Sequence, residues 1–240
     1  MTNLLYLTDM QSLTCTAKVE DILEENGKQI IILNQTVFYP QGGGQPYDTG
    51  EITSTDPTFL VEEVRFVEGI VKHIGVFKNG TFQKEESVTC LVNSERRLLN
   101  SRLHSAGHLV DMSVYELYPE WTPAKGFHFP DGPYVEYIAT IPEEDKETVV
   151  KKLEELGNKF IKEELNTSTA FVTKEQLKEY CRHIPENIPE GKPVRIVSFK
   201  DFGVPCGGTH VTNLKDLKYI TIRKVKQEKD RVRVAYDVTR

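Results

Sequence analysis

The sequence lacks several features that would define its class at once. No apolar run approaches the roughly 20 residues that span a bilayer, and the first ten residues contain neither a basic nor a long apolar segment. Its four cysteines, Cys15, Cys90, Cys181 and Cys206, are scattered, which argues against a disulfide framework. No internal repeat or low-complexity stretch occurs in the 240 residues. We therefore expect a soluble, cytoplasmic, globular protein with no membrane partner.

Net positive charge is also missing. The formal net charge is −6, which argues against a general nucleic-acid coat, because such proteins neutralise phosphates with clustered Lys and Arg. Residues 215–240 nevertheless carry nine Lys or Arg against four Asp or Glu, which gives this segment a charge of +5. It is either a solvated pair of strands or one basic surface that contacts a defined polyanion.

The first 92 residues have the pattern of short strands and tight turns. Asn26-Gly27 and Asn79-Gly80 each predict a two-residue hairpin, and Glu68-Gly69 separates two further apolar segments. The predicted strands are Leu13–Val19, Gln29–Leu33, Phe59–Val67, Ile70–Val76 and Ser87–Val92. So many short strands in so few residues predict a small all-β domain of the barrel type, residues 1–92.

The pattern changes after residue 92. Asn93 or Ser94 can cap a helix from Glu95 to Leu117, and Pro119 closes it. Further helices are predicted at Glu143–Leu165 and Lys174–Tyr180, and strands at Val194–Phe199, Tyr219–Val225 and Arg231–Val238. Residues 93–240 are therefore a predicted α+β domain with a mainly antiparallel sheet, and the chain as a whole is of the α+β class.

The first predicted helix contains His104 and His108, four residues apart. Side chains at this spacing are neighbours on a helix, so both imidazoles can bind one metal ion. A helical wheel places them opposite the apolar stripe that includes Leu103 and Val110, which argues against two core histidines. Two solvent-exposed histidines without a function are the alternative.

A second motif, Cys206-Gly207-Gly208-Thr209-His210, offers a thiol and an imidazole separated by three residues. With the helical pair it completes a set of one sulfur and three nitrogen ligands, which suits zinc. The alternative is a small buried cysteine beside a glycine turn. Ser105 occupies the position where zinc metalloproteases carry their general-base glutamate, so peptide hydrolysis is disfavoured and an activated ester fits better.

A third motif is the glycine-rich segment 38–50, which contains Gly42, Gly43, Gly44 and Gln45. Backbone amides in such a segment can closely approach a carbonyl oxygen or a phosphate. A P-loop is excluded because the Lys-Ser/Thr pair of that motif is missing. The alternative is a structural turn.

Together, the segment Arg102–Leu109, the Cys206–His210 motif and the glycine loop resemble the editing domain of alanyl-tRNA synthetase. The chain as a whole resembles the free-standing AlaX-type alanyl-tRNA editing proteins. The resemblance implies an editor that acts in trans on mischarged alanine tRNA, removes serine and, in some members, glycine from it, and requires no ATP. Zn²⁺ is the implied cofactor, and the implied ligands are His104, His108, Cys206 and His210.

Our mechanistic hypothesis is a zinc-assisted hydrolysis of the aminoacyl ester in which Gly43, Gly44 and Gln45 stabilise the developing oxyanion. Thr36 is the candidate partner of the serine hydroxyl. The candidate tRNA contacts are the cationic residues Arg97, Arg102, Lys224, Lys226, Arg231 and Arg233. Two other functions stay open: a non-catalytic, zinc-stabilised RNA-binding module and a zinc hydrolase of a small ester or amide.

Overall fold

The computed structural model describes residues 1–142, 145–185, 188 and 191–239. The chain divides into two compact units, Met1–Leu98 and Leu99–Arg240. Each unit encloses a hydrophobic core of its own. Within the described residues, no helix has both the length and the apolar character needed to cross a membrane.

The first unit is built around a closed six-stranded barrel with the strand order β2-β3-β7-β6-β5-β8. The strands of this unit are β1 (Asn3–Leu4), β2 (Thr14–Glu25), β3 (Lys28–Leu33), β4 (Gln35–Thr36), β5 (Gly50–Thr53), β6 (Thr58–Val67), β7 (Ile70–Asn79) and β8 (Ser87–Val92). Alternate residues fill the barrel, as β8 shows with Val88, Cys90 and Val92 buried between exposed neighbours. The short strands β1 and β4 form a separate parallel pair.

Two of the predicted turns join neighbouring barrel strands. Asn26 and Gly27, with φ of 54° and 74°, connect β2 to β3, and Glu68 and Gly69, with φ of 51° and 83°, connect β6 to β7. The hairpin predicted at Asn79-Gly80 is wrong. β7 pairs with β3 and β6, whereas β8 pairs with β2 and β5. An Asn-Gly pair predicts a turn from the local sequence, but it does not show which strand the following segment pairs with.

The second unit combines helices with two antiparallel sheets, β14-β15-β10-β9 and β11-β12-β13. The helices are α1 (Ser94–Leu117), of which the part from Leu99 onward belongs to this unit, α2 (Lys146–Lys162) and α3 (Leu177–Tyr180). The strands are β9 (Thr122–Phe127), β10 (Tyr134–Ile138), β11 (Thr167–Val172), β12 (Val194–Phe199), β13 (Phe202–Pro205), β14 (Ile220–Glu228) and β15 (Arg231–Val238). The predicted α+β class, with a barrel followed by helices and antiparallel sheets, is confirmed.

Helix α2 illustrates how the sequence determines an element of this unit. Asp145 caps its start by accepting a hydrogen bond from the Thr148 amide at 2.7 Å. Val149, Leu153 and Phe160 form its buried face, which packs on β14. The predicted start at Glu143 lies outside the described residues.

Candidate metal centre

The four predicted zinc ligands lie together in the second unit. Helix α1 carries His104 and His108, and the segment after β13 carries Cys206 and His210. Their ligand atoms all lie within 4.8 Å of one another. Arg195 on β12 holds the second segment in place, because its Nη1 donates to the carbonyl oxygens of Cys206 and Gly208, each at 2.9 Å.

The spacing of the ligand atoms fits a tetrahedral ion. Sγ of Cys206 lies 3.5 Å from Nε2 of His104 and 3.4 Å from Nε2 of His210. In a zinc site with Zn–S of about 2.3 Å and Zn–N of about 2.0–2.1 Å, neighbouring ligand atoms are about 3.5 Å apart. One thiolate and three imidazoles are also a donor set that zinc accepts. Their role as zinc ligands stays a prediction.

Burial sets the protonation of the cluster. It lowers the pKa of His108 to about 4 and the pKa values of His104 and His210 well below the usual value, so the imidazoles are neutral at pH 7 and able to bind a metal. Burial raises the pKa of Cys206 to about 11, so the thiol keeps its proton until a cation replaces it.

The face of α1 opposite its apolar stripe is buried. His104 is only 1% exposed and His108 only 5%. The alternative interpretation of the helical pair as solvent-exposed histidines is wrong. A helical wheel separates the faces of one helix, but it does not show what covers each face.

Ser105 orients one of the imidazoles. Its Oγ accepts a hydrogen bond from the Val211 amide at 3.0 Å and lies 3.2 Å from Nδ1 of His210. With Nδ1–H donating to this oxygen, Nε2 of His210 is free for a metal ion. The serine that replaces a protease's glutamate thus supports the cluster and is itself fully buried.

The sequence analysis missed His128, which packs on the cluster. Its ring stacks on His104 with 4.6 Å between centroids and 21° between planes. Tyr236 donates its hydroxyl proton to the Leu103 carbonyl at 2.9 Å, so the same oxygen accepts from Nδ1–H of His128 at 2.6 Å. Burial lowers the pKa of His128 to about 3 and keeps the ring neutral.

Two glycines make room for this ring. A Cβ at Gly107 would lie 2.3 Å from Cε1 of His128, and a Cβ at Gly126 would lie 2.5 Å from its Nε2. Glycine inside a helix costs about 1 kcal/mol relative to alanine. Gly107 between the two helical histidines was therefore the signal in the sequence that a large group packs on α1 there.

In the first unit, the glycine loop is a tight turn. Gly42 and Gln45 exchange two backbone hydrogen bonds of 3.2 and 2.9 Å, and Gly43 and Gly44 between them have φ of 54° and 78°. Among the residues that the structure describes, no group accepts a hydrogen bond from the amides of Gly43 or Gly44. The Gln45 residue is fully buried. This geometry makes the loop a structural turn that also presents two amide donors.

Thr36 lies in the same unit with its hydroxyl direction fixed. Nδ1–H of the buried His73 donates to the Ile31 carbonyl at 2.9 Å, which leaves Nε2 as an acceptor. Thr36 therefore donates its hydroxyl proton to Nε2 of His73 at 2.8 Å. Its oxygen accepts from the Phe38 amide at 3.0 Å and keeps one further lone pair.

Two of the predicted tRNA contacts are buried. Arg97 is 3% exposed, forms an ion pair of 2.5 Å with Asp48 and donates to the Val37 carbonyl at 2.6 Å. Arg102 is 8% exposed and donates to the carbonyls of Leu217 and Thr239. A phosphate contact by either guanidinium would first require these bonds to break.

The other four predicted contacts share one face of the four-stranded sheet, which we call the basic face: Lys224, Lys226, Arg231 and Arg233. The alternating Val225, Val232 and Val234 are buried on the opposite face. Glu136 lies 3.1 Å from Arg233 and 3.6 Å from Arg231, and Glu228 pairs with Lys226. These four cations and two carboxylates leave a charge of +2.

Aromatic rings lie beside the basic face, and the sequence analysis did not identify them. Phe127 stacks on Phe129 with 4.5 Å between centroids and on Tyr134 with 5.3 Å. The Arg233 guanidinium lies 4.2 Å from the centroid of Tyr134. All three rings are partly exposed. In the sequence, Phe127 and Phe129 flank the buried His128, and Tyr134 precedes the buried Val135. This alternation is the pattern from which aromatic rings on the exposed face could have been predicted.

Two known families match this chain. Residues 4–96 match the tRNA synthetases class II (A), and residues 194–233 match the threonyl and alanyl tRNA synthetase second additional domain.

Similar proteins match nearly the whole chain. An alanine–tRNA ligase of Halobacterium salinarum is 29% identical over 239 residues, which are 96% of this chain and 25% of that protein. The ligase of Methanosphaera stadtmanae is 32% identical over 251 residues, 99% of this chain and 27% of that protein. An alanyl-tRNA editing protein AlaX-L of Pyrococcus horikoshii is 29% identical over 240 residues, 98% of this chain and 58% of that protein. The chain thus spans about a quarter of each ligase and 58% of the AlaX-L protein.

Proposed function

This chain is a homologue of alanine–tRNA ligases and of an AlaX-L alanyl-tRNA editing protein, and from that relationship we propose that it is an alanyl-tRNA editing deacylase. Its substrate is alanine tRNA that carries serine, and glycine is the second amino acid that it removes. It acts in trans, in the cytoplasm. No ATP is needed, because the reaction is the hydrolysis of an activated ester.

The observation that carries the proposal is the convergence of His104, His108, Cys206 and His210 within 4.8 Å. A zinc ion held by these side chains would supply a Lewis acid for the ester carbonyl. The residues of the chain keep three imidazoles neutral by burial, and Ser105 fixes the orientation of one of them. No carboxylate follows His104 as a general base, which favours an ester over a peptide bond as the substrate.

Selection of serine is assigned to Thr36. Thr36 is fully buried, and because its own proton is donated to His73, its oxygen could only accept from a substrate that reaches it. A serine hydroxyl can donate to it, whereas the methyl group of alanine cannot. A site that binds a hydroxyl in this way rejects the analogue without it more strongly than a site built on size does.

The oxyanion role is assigned to the glycine loop. The amides of Gly43 and Gly44 are adjacent donors, and the turn that they form fixes their direction. Gln45, the third residue of this assignment, is fully buried beside these amides in the structure.

The basic face and its aromatic rings are assigned to RNA. Cationic side chains attract phosphates, and exposed rings stack on unpaired bases with little regard to sequence. Phe127, Tyr134 and Arg233 provide both in one continuous array. An RNA segment with unpaired bases, such as the end of an acceptor stem, fits this surface.

The test compares three substrates: serine-charged alanine tRNA, alanine-charged alanine tRNA and a free seryl ester. We expect zinc-loaded protein to deacylate the first and to leave the other two largely intact. Cys206→Ala should lose most of the activity, on the order of 100-fold or more, together with bound zinc measured by elemental analysis. Cys181→Ala is the matched control, because Cys181 is buried in a separate core cluster.

Each other outcome would support a different function. Cleavage of the free seryl ester would indicate a small-ester hydrolase. Binding of the charged tRNA without deacylation would indicate an RNA-binding module in which the metal only supports the fold. Full activity of Cys206→Ala without zinc would contradict the role of the metal centre.

A further inference from the structure

The second unit contains a cavity of about 420 Å³ that none of the predicted site residues lines. This volume falls in the range of small-molecule sites. Its lining combines aromatic rings with a few charged side chains, among them Asp111, Tyr115, Lys125, Tyr137, Arg182 and Phe202.

Asp111 is the unusual group in this cavity. Its Oδ1 accepts a hydrogen bond from the Tyr137 hydroxyl at 2.5 Å. Within the described part of the chain, no Lys, Arg or His lies within ion-pair distance of this carboxylate. Burial raises the pKa of Asp111 to about 7. An unpaired, partly desolvated carboxylate is unfavourable unless a cation reaches it.

The two cationic side chains that line the same cavity, Lys125 and Arg182, do not pair with Asp111. Lys125 and Arg182 are both exposed to solvent. The Arg182 guanidinium lies over the ring of Tyr115, 3.8 Å from its centroid, and forms a cation–π contact there. The raised pKa leaves Asp111 partly protonated at neutral pH, and a ligand cation that reaches it would favour the charged form.

The cavity is lined by residues that are close in sequence to two of the candidate zinc ligands. Asp111 follows His108 by three residues on α1, and Pro205, which also lines the cavity, directly precedes Cys206. Besides the larger effect of burial, the charge of Asp111 contributes to the raised pKa of Cys206. A small group bound at the cluster can therefore extend toward Asp111.

We propose that Asp111 binds the α-ammonium group of the aminoacyl ester, with Tyr137 as the positioning residue that holds the carboxylate. The proposal rests on the deacylase function proposed above. A charged tRNA carries one ammonium group beside the scissile ester, whereas an uncharged tRNA has none. Asp111 thereby distinguishes substrate from the released tRNA and aligns the ester carbonyl relative to the cluster.

Binding is the first test, because it does not depend on turnover. The probes are 3′-deoxy-3′-(L-serylamino)adenosine, which has an amide in place of the ester, and its N-acetyl derivative, which lacks the ammonium charge. We expect zinc-loaded wild-type protein to bind the free amine more tightly than the acetylated compound by about tenfold to a hundredfold, as for other hydrogen bonds to charged groups. Asp111→Asn should remove this preference, since Asn keeps the shape and can still accept from Tyr137.

Asp131→Asn is the matched control, because Asp131 is exposed in the connection between β9 and β10. It should bind both probes as the wild type does. Tyr137→Phe should reduce the preference only in part, and circular dichroism checks that each variant is folded.

Turnover is the second test. The ratio of kcat/KM for seryl-tRNA to that for N-acetyl-seryl-tRNA should fall by the same factor in Asp111→Asn. An unchanged ratio together with an unchanged binding preference would overturn the role of Asp111. Absence of deacylation in the wild type, with the binding preference intact, would instead contradict the deacylase function and leave the ammonium site supported.

Discussion

At the scale of single residues, His73 controls more than its own position. It is fully buried, and burial lowers its pKa to about 4, whereas the usual value is 6.5. The neutral ring is what allows Nε2 to accept the Thr36 proton. If the ring were protonated, Nε2 would become a donor and the hydroxyl would have to turn.

The stability of the protein should therefore depend on pH through His73. The unfolded chain binds a proton below about pH 6.5 and the folded one only below about pH 4, so this contribution is complete above pH 6.5 and is lost as the pH falls through 4. The full loss is about 3 kcal/mol. The free energy of unfolding is measured with denaturant at pH 7.5 and at pH 4. Between these two pH values it should fall by about 3 kcal/mol less in His73→Gln than in the wild type. The other buried histidines are present in both proteins and cancel, so parallel pH profiles would refute the assignment.

The sequence revealed individual residues where a motif carried them. The clustering of His104, His108, Cys206 and His210 could be predicted because two short motifs offer one sulfur and three nitrogen donors. Their neighbours in space could not. Asp111 and His128 have no motif of their own, and each gains its significance from packing against parts of the chain that the sequence does not connect.

At the scale of elements, the four-stranded sheet separates its two faces by simple alternation. Lys224 is the member of the basic face for which the structure, over its described residues, shows no ion pair, so its charge is available to a phosphate.

Replacing Lys224 should therefore change the salt dependence of tRNA binding. We expect Lys224→Gln to reduce the slope of log affinity against log salt by about one, as for the loss of one phosphate contact. Lys151→Gln on α2 is the control, since Lys151 has 76% of its side chain exposed and lies on another element. Fluorescence titrations of alanine tRNA at several salt concentrations measure the slope. Equal slopes for Lys224→Gln and wild type would exclude a phosphate contact at Lys224.

Elements were predictable where periodicity was strong. Helices α1 and α2 and strand β15 follow their apolar pattern, whereas β9 was missed because it contains Pro123 and Gly126. A proline is tolerated there because β9 is an edge strand of its sheet. β5 has only four residues and was missed for lack of length.

At the scale of the whole molecule, the chain has separate cores in its two units. All four candidate zinc ligands belong to Leu99–Arg240, and so does Trp121, the single tryptophan. Trp121 fluorescence therefore reports on the unit that holds the cluster.

Zinc should stabilise that unit selectively. At a zinc concentration 100 times the dissociation constant, linkage predicts about 2.7 kcal/mol of added stability. We expect the unfolding transition seen by Trp121 to shift accordingly, and amide exchange in β3 and β7 to stay unchanged. Cys206→Ala should abolish the shift. A shift of similar size in that variant would mean that zinc binds elsewhere.

At this scale, the two types of domain could be predicted from the sequence, but the order in which the barrel strands pair could not. The change from alternating to helical periodicity after Val92 indicated an all-β part followed by an α+β part. The barrel order could not be read from sequence, because β8 closes on β2 and β5 through pairings between residues far apart in the chain.

The space that Gly107 and Gly126 leave for the ring of His128 limits which substitutions this protein can accept. The ring of His128 occupies the space of two missing side chains, so positions 107, 126 and 128 constrain one another. A larger residue can replace Gly107 or Gly126 only after a smaller residue has replaced His128. The order in which these substitutions can occur is therefore restricted. Among homologous sequences, these three positions should covary as a group.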